Sequence, residues 1–304
     1  MTIRIHEADG TPYEHIIEIK EKTTTFDIPY NTKYKRLKRS RRQKERTAAT
    51  TGMDSFGGGG DDVLLYSLGD ILQTEEEVKE WGLDDWSKEE EEKMSQESYE
   101  WIRMDADFEW ICKMSISMPA WMWVSQLQQD RDVVAQLAVC LRCTTMAVPS
   151  NIRQSLQYIA MVQPHRLVST ILTRTLMDRR YFHGIRTAAS EILAKNAREE
   201  IQWVGRVHLE KAFQELFCYT DSPMTRSNDF SDRASYYIQC AIPKAVSKIR
   251  NANGHTPFEV RNFLYEKLKF NDNSTNEVSC AVDFNSTSSL MLTRFPTAIT
   301  LRLL

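Results

Sequence analysis

Histidine and cysteine are the residue types of this sequence that could hold a metal or act as nucleophiles. None of the six histidines has the H-E-x-x-H spacing that sets two imidazoles around zinc, and His6-Glu7 is not followed by a second histidine there. Cys140 and Cys143 form a lone C-x-x-C, a weak metal signal without a second pair. No nucleophile elbow, dinucleotide fingerprint or P-loop is present. The sequence therefore predicts a protein without catalytic residues, metal, cofactor or small-molecule substrate.

A basic segment between Lys33 and Arg46 is the strongest charge feature. Nine lysines and arginines stand there against a single acid, Glu45. Such a cluster could contact DNA phosphates without reading bases, act as a nuclear-import signal, or form a solvated loop, and the sequence leaves these readings open. The candidate DNA- or partner-binding residues are Lys33, Lys35, Arg36, Lys38, Arg39, Arg41, Arg42, Lys44 and Arg46.

The stretch around this basic segment, about 33–60, is predicted to be a long disordered charged loop because it has too few apolar residues to offset its ordering entropy. Its glycine run, Gly57 to Gly60, lacks the Gly-Lys-Ser/Thr ending of a phosphate loop and reads as a tether. An acidic stretch, Glu75–Glu97, carries eleven acids against three lysines and could mask the basic segment at low salt.

Composition and length bound the class of protein. At 304 residues, 41% hydrophobic and 27% charged, the chain predicts about two globular domains rather than a disordered or membrane protein. The longest uncharged run, Met114 to Gln129, is too short to span a bilayer, and the first residues contain no apolar leader. Sparse cysteines favour a cytosolic or nuclear compartment.

The period of the apolar residues changes near residue 118. Before it, short alternating bursts predict strands, and six of the seven tryptophans lie between Trp81 and Trp123, as expected for a small sheet-on-sheet core. We therefore expect a β-sandwich domain over residues 1–118. The predicted strands are Thr2 to His6, Ile16 to Ile19, Thr24 to Ile28, Val63 to Tyr66, Trp101 to Met104 and Trp110 to Ile116.

After residue 118 the apolar residues repeat every 3.6 positions, which predicts an α-solenoid of the HEAT or armadillo type over 119–278. The motif Ile185-Arg186-x-Ala188-Ala189 is typical of tightly stacked helices, and His208 is predicted to be a hydrogen-bonded structural residue. Asp130 and Asp132 are predicted N-caps. The predicted helices lie near 119–127, 131–147, 154–162, 165–178, 181–196, 200–217, 232–250 and 256–270, the last opened by a capping box at Thr256.

Several long strings resemble a known family. Among them are FGGGGDDVLLYSLGD, EWIRMDADFEWICK, LTRTLMDRRYFHGIRTAASEILA and NDFSDRASYYIQCAIPKA, which together with others cover most of residues 3–278. They resemble the second-subunit family of the general transcription factor TFIID, a family of TBP-associated factors, in its fungal form. That family is similar to aminopeptidases, with a degenerate peptidase domain followed by a small β-sandwich and a HEAT-type region. This chain resembles the last two parts.

The resemblance implies a non-catalytic scaffold segment in the nucleus that acts in core-promoter recognition and assembly of the RNA polymerase II pre-initiation complex. The implied partners are TFIID subunits 1 and 8. Core-promoter DNA is a further possible partner, and the basic segment is the candidate for that contact. Two departures from the family are expected: Leu137–Arg153 reads as an insertion, and 279–304 as a disordered tail outside the family. Two alternatives stay open, a fragment of an active zinc aminopeptidase and a HEAT-repeat transport or scaffold protein.

Overall fold

The computed structural model describes residues 1–7, 12–28, 68–87, 89, 99–107, 109–110, 118, 120–130, 132–137 and 166–273. The chain divides into two compact units that interleave along the sequence. The first unit comprises Met1–Asp70 and Asp85–Ile159, and the second comprises Ile71–Asp84 and Ala160–Leu304.

The described elements are mainly strands in the first part of the chain and helices in the rest, as predicted, with one short helix between the second and third strands. They are β1 (Thr2–Glu7), β2 (Pro12–Ile16), α1 (Glu75–Trp81), β3 (Tyr99–Met104), α2 (Ala120–Gln129), α3 (Val133–Leu137), α4 (Arg166–Met177), α5 (His183–Lys195), a 3-10 turn (Glu199–Ile201), α6 (Val204–Phe217), α7 (Arg233–Val246) and α8 (Phe258–Lys269). This mixed architecture, β and then α, confirms the predicted fold class.

The three strands described in the first unit form an antiparallel sheet in the order β2-β1-β3. Exposed and half-buried residues alternate along β2, as expected when one face of a strand meets solvent. The central strand β1 pairs His6 with Trp101 of β3, and the two rings stack with centroids 4.3 Å apart. Trp101 is 2% exposed, so this pair lies in the core of the unit.

A buried arginine ties β3 to the helical hairpin of the same unit. Arg103 Nη2 lies 2.8 Å from Asp132 Oδ2, and Nη1 lies 3.5 Å from Asp130 Oδ2. Arg103 and Asp130 are both buried, and Arg103 also donates to the Ala106 carbonyl. The two aspartates hold the turn between α2 and α3 against the sheet, whereas the N-capping predicted for them stays a prediction.

The core of the second unit is built by α5, which packs against α4, α6 and α7. Small residues on α5 allow this close stacking, since Ala188 and Ala189 are both buried. The apolar faces repeat with the helical period, so each helix gives one stripe to the same core. The largest fully buried residues of this core are Leu172, Leu176, Ile185, Leu193, Leu209, Phe213 and Ile238.

The segment 71–84 packs on these helices rather than with the sheet. Its helix α1 begins with a complete capping box, Thr74 with Glu77, and ends at Gly82, whose φ of 60° is left-handed. Trp81 at its end is buried, and its carbonyl oxygen lies 2.9 Å from His208 Nε2. His208 is therefore a structural residue, as predicted.

Some local predictions were wrong. The second strand is Pro12–Ile16 rather than Ile16 to Ile19, because it pairs antiparallel with β1 from His6↔Pro12 to Thr2↔Ile16. Residues 24–28 form no strand. Helix α8 begins after Pro257, which stands at the N-cap without a side-chain hydrogen bond, so the capping box predicted at Thr256 is absent. The predicted strand at 63–66 and the predicted helix at 154–162 lie outside the described residues.

Candidate functional site

The nine basic candidates between Lys33 and Arg46 lie outside the described residues, as do Cys140 and Cys143. The predicted tail 279–304 also lies outside them, together with all but the first residue of the predicted insertion Leu137–Arg153. Within the described part of the chain, histidines, cysteines and acids form no group of three that could hold a metal ion. No helix there is long and apolar enough to cross a membrane.

The second unit contains a cleft of about 360 Å³. It lies among the start of α5, the end of α6, the start of α7 and the loop that joins α6 to α7. Its charged lining residues are Arg179, Arg186, Arg226, Asp229 and Asp232. Leu216, Phe217, Ala234 and Tyr236 supply apolar surface beside these charges. Such a lining can accept a mixed polar and apolar side-chain group.

Arg186 is held at the base of this cleft by the packing of α5. It is 8% exposed, and its Nε donates to the Leu176 carbonyl oxygen at 2.7 Å. This bond closes an orphan carbonyl at the end of α4 and fixes the plane of the guanidinium. Burial, with the nearby charge of Arg179, lowers the pKa of Arg186 to about 10. The side chain stays cationic at neutral pH.

The other two arginines stand in more exposed positions around Arg186. Arg179 lies in the exposed turn between α4 and α5. Arg226 lies in the loop after α6, where its Nη2 donates to the Leu216 carbonyl oxygen. Three cationic side chains from separate elements therefore converge on one cleft.

The two carboxylates of the cleft are occupied by local backbone bonds. Asp232 Oδ1 caps α7 by accepting from the Ser235 amide at 3.0 Å. Asp229 Oδ1 accepts from the amide and the hydroxyl of Ser231, which lowers the pKa of Asp229. Both acids therefore hold the loop and the helix start in place while adding negative charge to the lining.

Exposed aromatic rings stand beside the cleft at the starts of the same two helices. Phe182 is 41% exposed and Tyr237 is 53% exposed, with His183 between them at ring distances of 4.2 Å and 5.4 Å. Phe182 precedes α5, and its carbonyl accepts from the Arg186 amide. Tyr237 follows the cleft residue Tyr236 on α7. Exposed aromatics that are held in fixed positions are typical anchors of protein interfaces.

Sequence reasoning identified Arg186 as a residue of the helix stack but missed the cleft. The packing part of that prediction is confirmed by its burial and by its bond to Leu176. Most other residues that line the cleft with Arg186 lie between positions 216 and 239. The spacing of residues around Arg186 in the sequence does not predict that they come together. Asp229 and Asp232, just before α7, are a signal near the cleft that the sequence displays.

Both parts of the chain match models of one protein family. The family model "TAF2 Ig-like domain" matches residues 1–119, and "TAF2-like, TPR repeats" matches residues 120–282. The solenoid type is thus described as TPR rather than HEAT. Proteins named "Transcription initiation factor TFIID subunit 2" are similar to 92% of this chain, with 47% identity in Schizosaccharomyces pombe and 40% in Saccharomyces cerevisiae. The similar region in Drosophila melanogaster is 26% identical, also over 92% of this chain.

The chain spans about a fifth of the length of these curated relatives, 22% of the Schizosaccharomyces pombe protein and 19% of the other two. The relatives are named as subunits of a transcription factor, and neither family description names an enzyme. The TPR description alone covers more than half of the 304 residues, from 120 to 282. The chain therefore belongs to the TAF2 family, whose members carry the name TFIID subunit 2.

Proposed function

We propose that this chain is a non-catalytic scaffold segment of a TFIID subunit in the nucleus. It acts in core-promoter recognition and in assembly of the RNA polymerase II pre-initiation complex. The observation that carries this proposal is the match of an Ig-like domain and then TPR repeats, both of the TAF2 family, along 1–119 and 120–282. Stacked helices suit such a role because they present extended surfaces to partner segments.

The proposed partners are other TFIID subunits, in particular subunits 1 and 8. The helical unit offers them exposed aromatic side chains on a rigid support, Phe182 and Tyr237 among them. The test is capture of purified TFIID subunits 1 and 8 by the full 304-residue chain, with circular dichroism to establish that the chain is folded. Capture of one or both subunits is expected. A folded chain that captures neither subunit would contradict the proposed assembly role.

Promoter DNA is the second proposed partner, through the nine basic residues between Lys33 and Arg46. Phosphate contacts release counterions, so the logarithm of the binding constant should fall with the logarithm of salt by about 0.9 per phosphate neutralised. The test compares duplex binding of the intact chain with a variant in which the nine residues are replaced by Ser or Gln. Equal binding of the two forms would remove the DNA role, and loss of nuclear import in the variant would then favour the import signal.

A zinc aminopeptidase and a HEAT-type transport protein are not favoured, since neither accounts for two TAF2 family matches in one chain. We expect purified chain to hold no stoichiometric zinc and to release no amino acid from aminoacyl substrates. Elemental analysis and a peptidase assay test this. One tightly bound zinc per chain, with turnover that a chelator abolishes, would contradict the non-catalytic assignment.

A further inference from the structure

We propose that the cleft around Arg186 binds the carboxylate side chain of an acidic, partly apolar peptide segment from a partner protein. The inference deepens the scaffold function proposed above and rests on it, because it assigns one contact surface and the chemistry of the segment that occupies it. It concerns the second unit alone.

The hydrogen bonds of Arg186 are incomplete within the described residues. Its Nε donates to the Leu176 carbonyl, whereas Nη1 and Nη2 have no acceptor in the described chain. Although the residue is 8% exposed, its Nη1 and Nη2 are not among the fully buried polar atoms without a partner, so an acceptor that enters the cleft can reach them. A carboxylate that accepts from two guanidinium nitrogens would complete this hydrogen bonding in the bidentate geometry for which arginine is suited.

Arg179 strengthens the preference for an anion. It lines the same cleft, and among the described residues its side chain has no ion-pair partner. Burial lowers the pKa of Arg186 most, repulsion from the guanidinium of Arg179 lowers it further, and the charges of Asp178 and Asp232 oppose this effect. A bound carboxylate would offset this repulsion, since it places a negative charge beside both groups.

A single carboxylate fits the cleft better than a nucleic-acid backbone. Three arginines and the two aspartates, Asp229 and Asp232, give the lining a net charge of +1, which one carboxylate neutralises and a chain of consecutive phosphates exceeds. The volume of about 360 Å³ has room for an acidic side chain together with its apolar neighbours, and Leu216, Phe217 and Tyr236 offer apolar contact beside the arginines. These features together favour an Asp or Glu flanked by apolar residues.

The probe for the test is a pair of synthetic peptide libraries with apolar residues around a fixed central position. That position is Asp or Glu in one library and Asn or Gln in the other. Binding to the full chain is measured by fluorescence anisotropy, and the Arg186 Nε–H signal is followed by NMR. We expect the acidic library to bind at least about ten-fold more tightly and to shift the Arg186 signal.

Three variants assign the contact. Arg186→Gln and the exposed Arg179→Gln should each weaken binding of the acidic library by about ten-fold, because each removes one cationic donor. Arg198→Gln is the matched control, since Arg198 is exposed and does not line the cleft. Its binding should equal that of the unchanged chain. If Arg186→Gln proves unfolded by circular dichroism, Arg179→Gln alone decides the result.

Several outcomes would overturn the inference. They are equal binding of the two libraries, binding that Arg179→Gln leaves unchanged, and an equal loss in Arg198→Gln. Binding of duplex DNA that is lost in Arg179→Gln and is not competed by acidic peptides would identify a phosphate site instead.

Failure of this inference is distinguishable from failure of the scaffold function. If TFIID subunits are still captured while no acidic peptide binds the cleft, the cleft assignment is wrong and the scaffold function stands. If acidic peptides bind and no TFIID subunit is captured, the cleft chemistry stands and the scaffold function is wrong.

Discussion

The imidazole of His208 on α6 bridges Thr173 on α4 and Trp81 in the segment 71–84. Trp81 precedes His208 by 127 residues in the sequence. Its Nε2 lies 2.9 Å from the Trp81 carbonyl oxygen and its Nδ1 lies 3.0 Å from Thr173 Oγ1. The carbonyl accepts only, so Nε2 carries the proton of the neutral ring. The single proton of the Thr173 hydroxyl lies within reach of two acceptors, His208 Nδ1 and the Ser169 carbonyl oxygen at 2.6 Å. Burial lowers the pKa of His208, which favours this neutral form.

We predict that His208→Phe destabilises the second unit by about 2 kcal/mol, because the Trp81 carbonyl loses its ring donor in a buried place. Phenylalanine keeps a ring in the space, so the loss reports the hydrogen bonds. Chemical denaturation measures the stability, and limited proteolysis between Ile71 and Asp84 reports release of the segment. The control is His255→Phe, at an exposed position. Equal stability and equal proteolysis of the two variants would contradict this account.

A second prediction concerns the response of His6 to acid. Burial, with Arg103 and Arg4 nearby, lowers the pKa of His6 from 6.5 to about 3 in the folded chain. The unfolded chain therefore takes up a proton below pH 6.5 that the folded chain refuses until about pH 3. The stabilisation from neutral His6 is complete above pH 6.5 and is lost as pH falls towards 3, by about 1.4 kcal/mol per pH unit.

The measurement is denaturation of the chain and of His6→Phe over this pH range. The variant keeps an aromatic ring stacked on Trp101 and lacks the titrating group, so its stability should fall less steeply in acid. NMR of the His6 ring should show no titration until well below pH 6.5, the usual value. A ring that titrates near its usual pKa, with equal slopes for both chains, would contradict the prediction.

Periodicity predicted the helices of the second unit to within a few residues. The helices expected near 165–178, 181–196 and 256–270 are Arg166–Met177, His183–Lys195 and Phe258–Lys269. The stripe that defines each of them is the face that packs, so sequence and fold carry the same information there. Strand β2 was displaced by a few residues because its pairing with β1, which the local sequence does not encode, sets its bounds.

The segment 71–84 shows a different limit of sequence reasoning. Its capping box at Thr74 and Glu77 can be recognised in the sequence, but no local feature predicts the hydrophobic core in which Trp81 is buried. The contact depends on His208, far along the chain. The cleft has the same origin, because Arg186 meets the start of α7 only after α5 and α7 pack. Local signals predict elements, whereas sites between elements depend on tertiary pairing.

A third prediction tests the buried ion pair of the first unit. Arg103→Met should destabilise the chain by about 3–5 kcal/mol, because Asp130 is 4% exposed and would be left as an uncompensated buried charge. Burial already raises the pKa of Asp130, against the opposing effect of Arg103. Without Arg103 this pKa should rise further, so protonation in acid would neutralise the buried charge, and the deficit of the variant should shrink as pH falls.

Arg4→Met is the matched control, because Arg4 also contacts two carboxylates on the same sheet, but those of Glu14 and Asp107 are 55% and 48% exposed. It should cost less than about 1 kcal/mol. The double variant Arg103→Met with Asp130→Asn should recover part of the loss, since no unpaired charge remains. If Arg4→Met and Arg103→Met lower the free energy of unfolding equally, burial does not determine the contribution of the pair Arg103–Asp130 to stability.

The last prediction concerns Gly205, where α6 begins against the end of α5. A Cβ at this position would lie 2.2 Å from the Leu193 carbonyl oxygen and 3.0 Å from the Ala197 amide nitrogen. Both neighbours are backbone atoms and cannot rotate away, so Gly205→Ala should push the two helices apart and lower the free energy of unfolding by about 2–3 kcal/mol.

Gly82→Ala is the control for this prediction: its Cβ meets nothing within 4 Å, and its φ of 60° alone lowers the free energy of unfolding by about 1–2 kcal/mol. Gly82→Asn should be milder still, because asparagine tolerates the left-handed conformation. Thermal denaturation ranks the three variants, and a Gly205→Ala chain as stable as Gly82→Asn would show that the helix contact yields without cost.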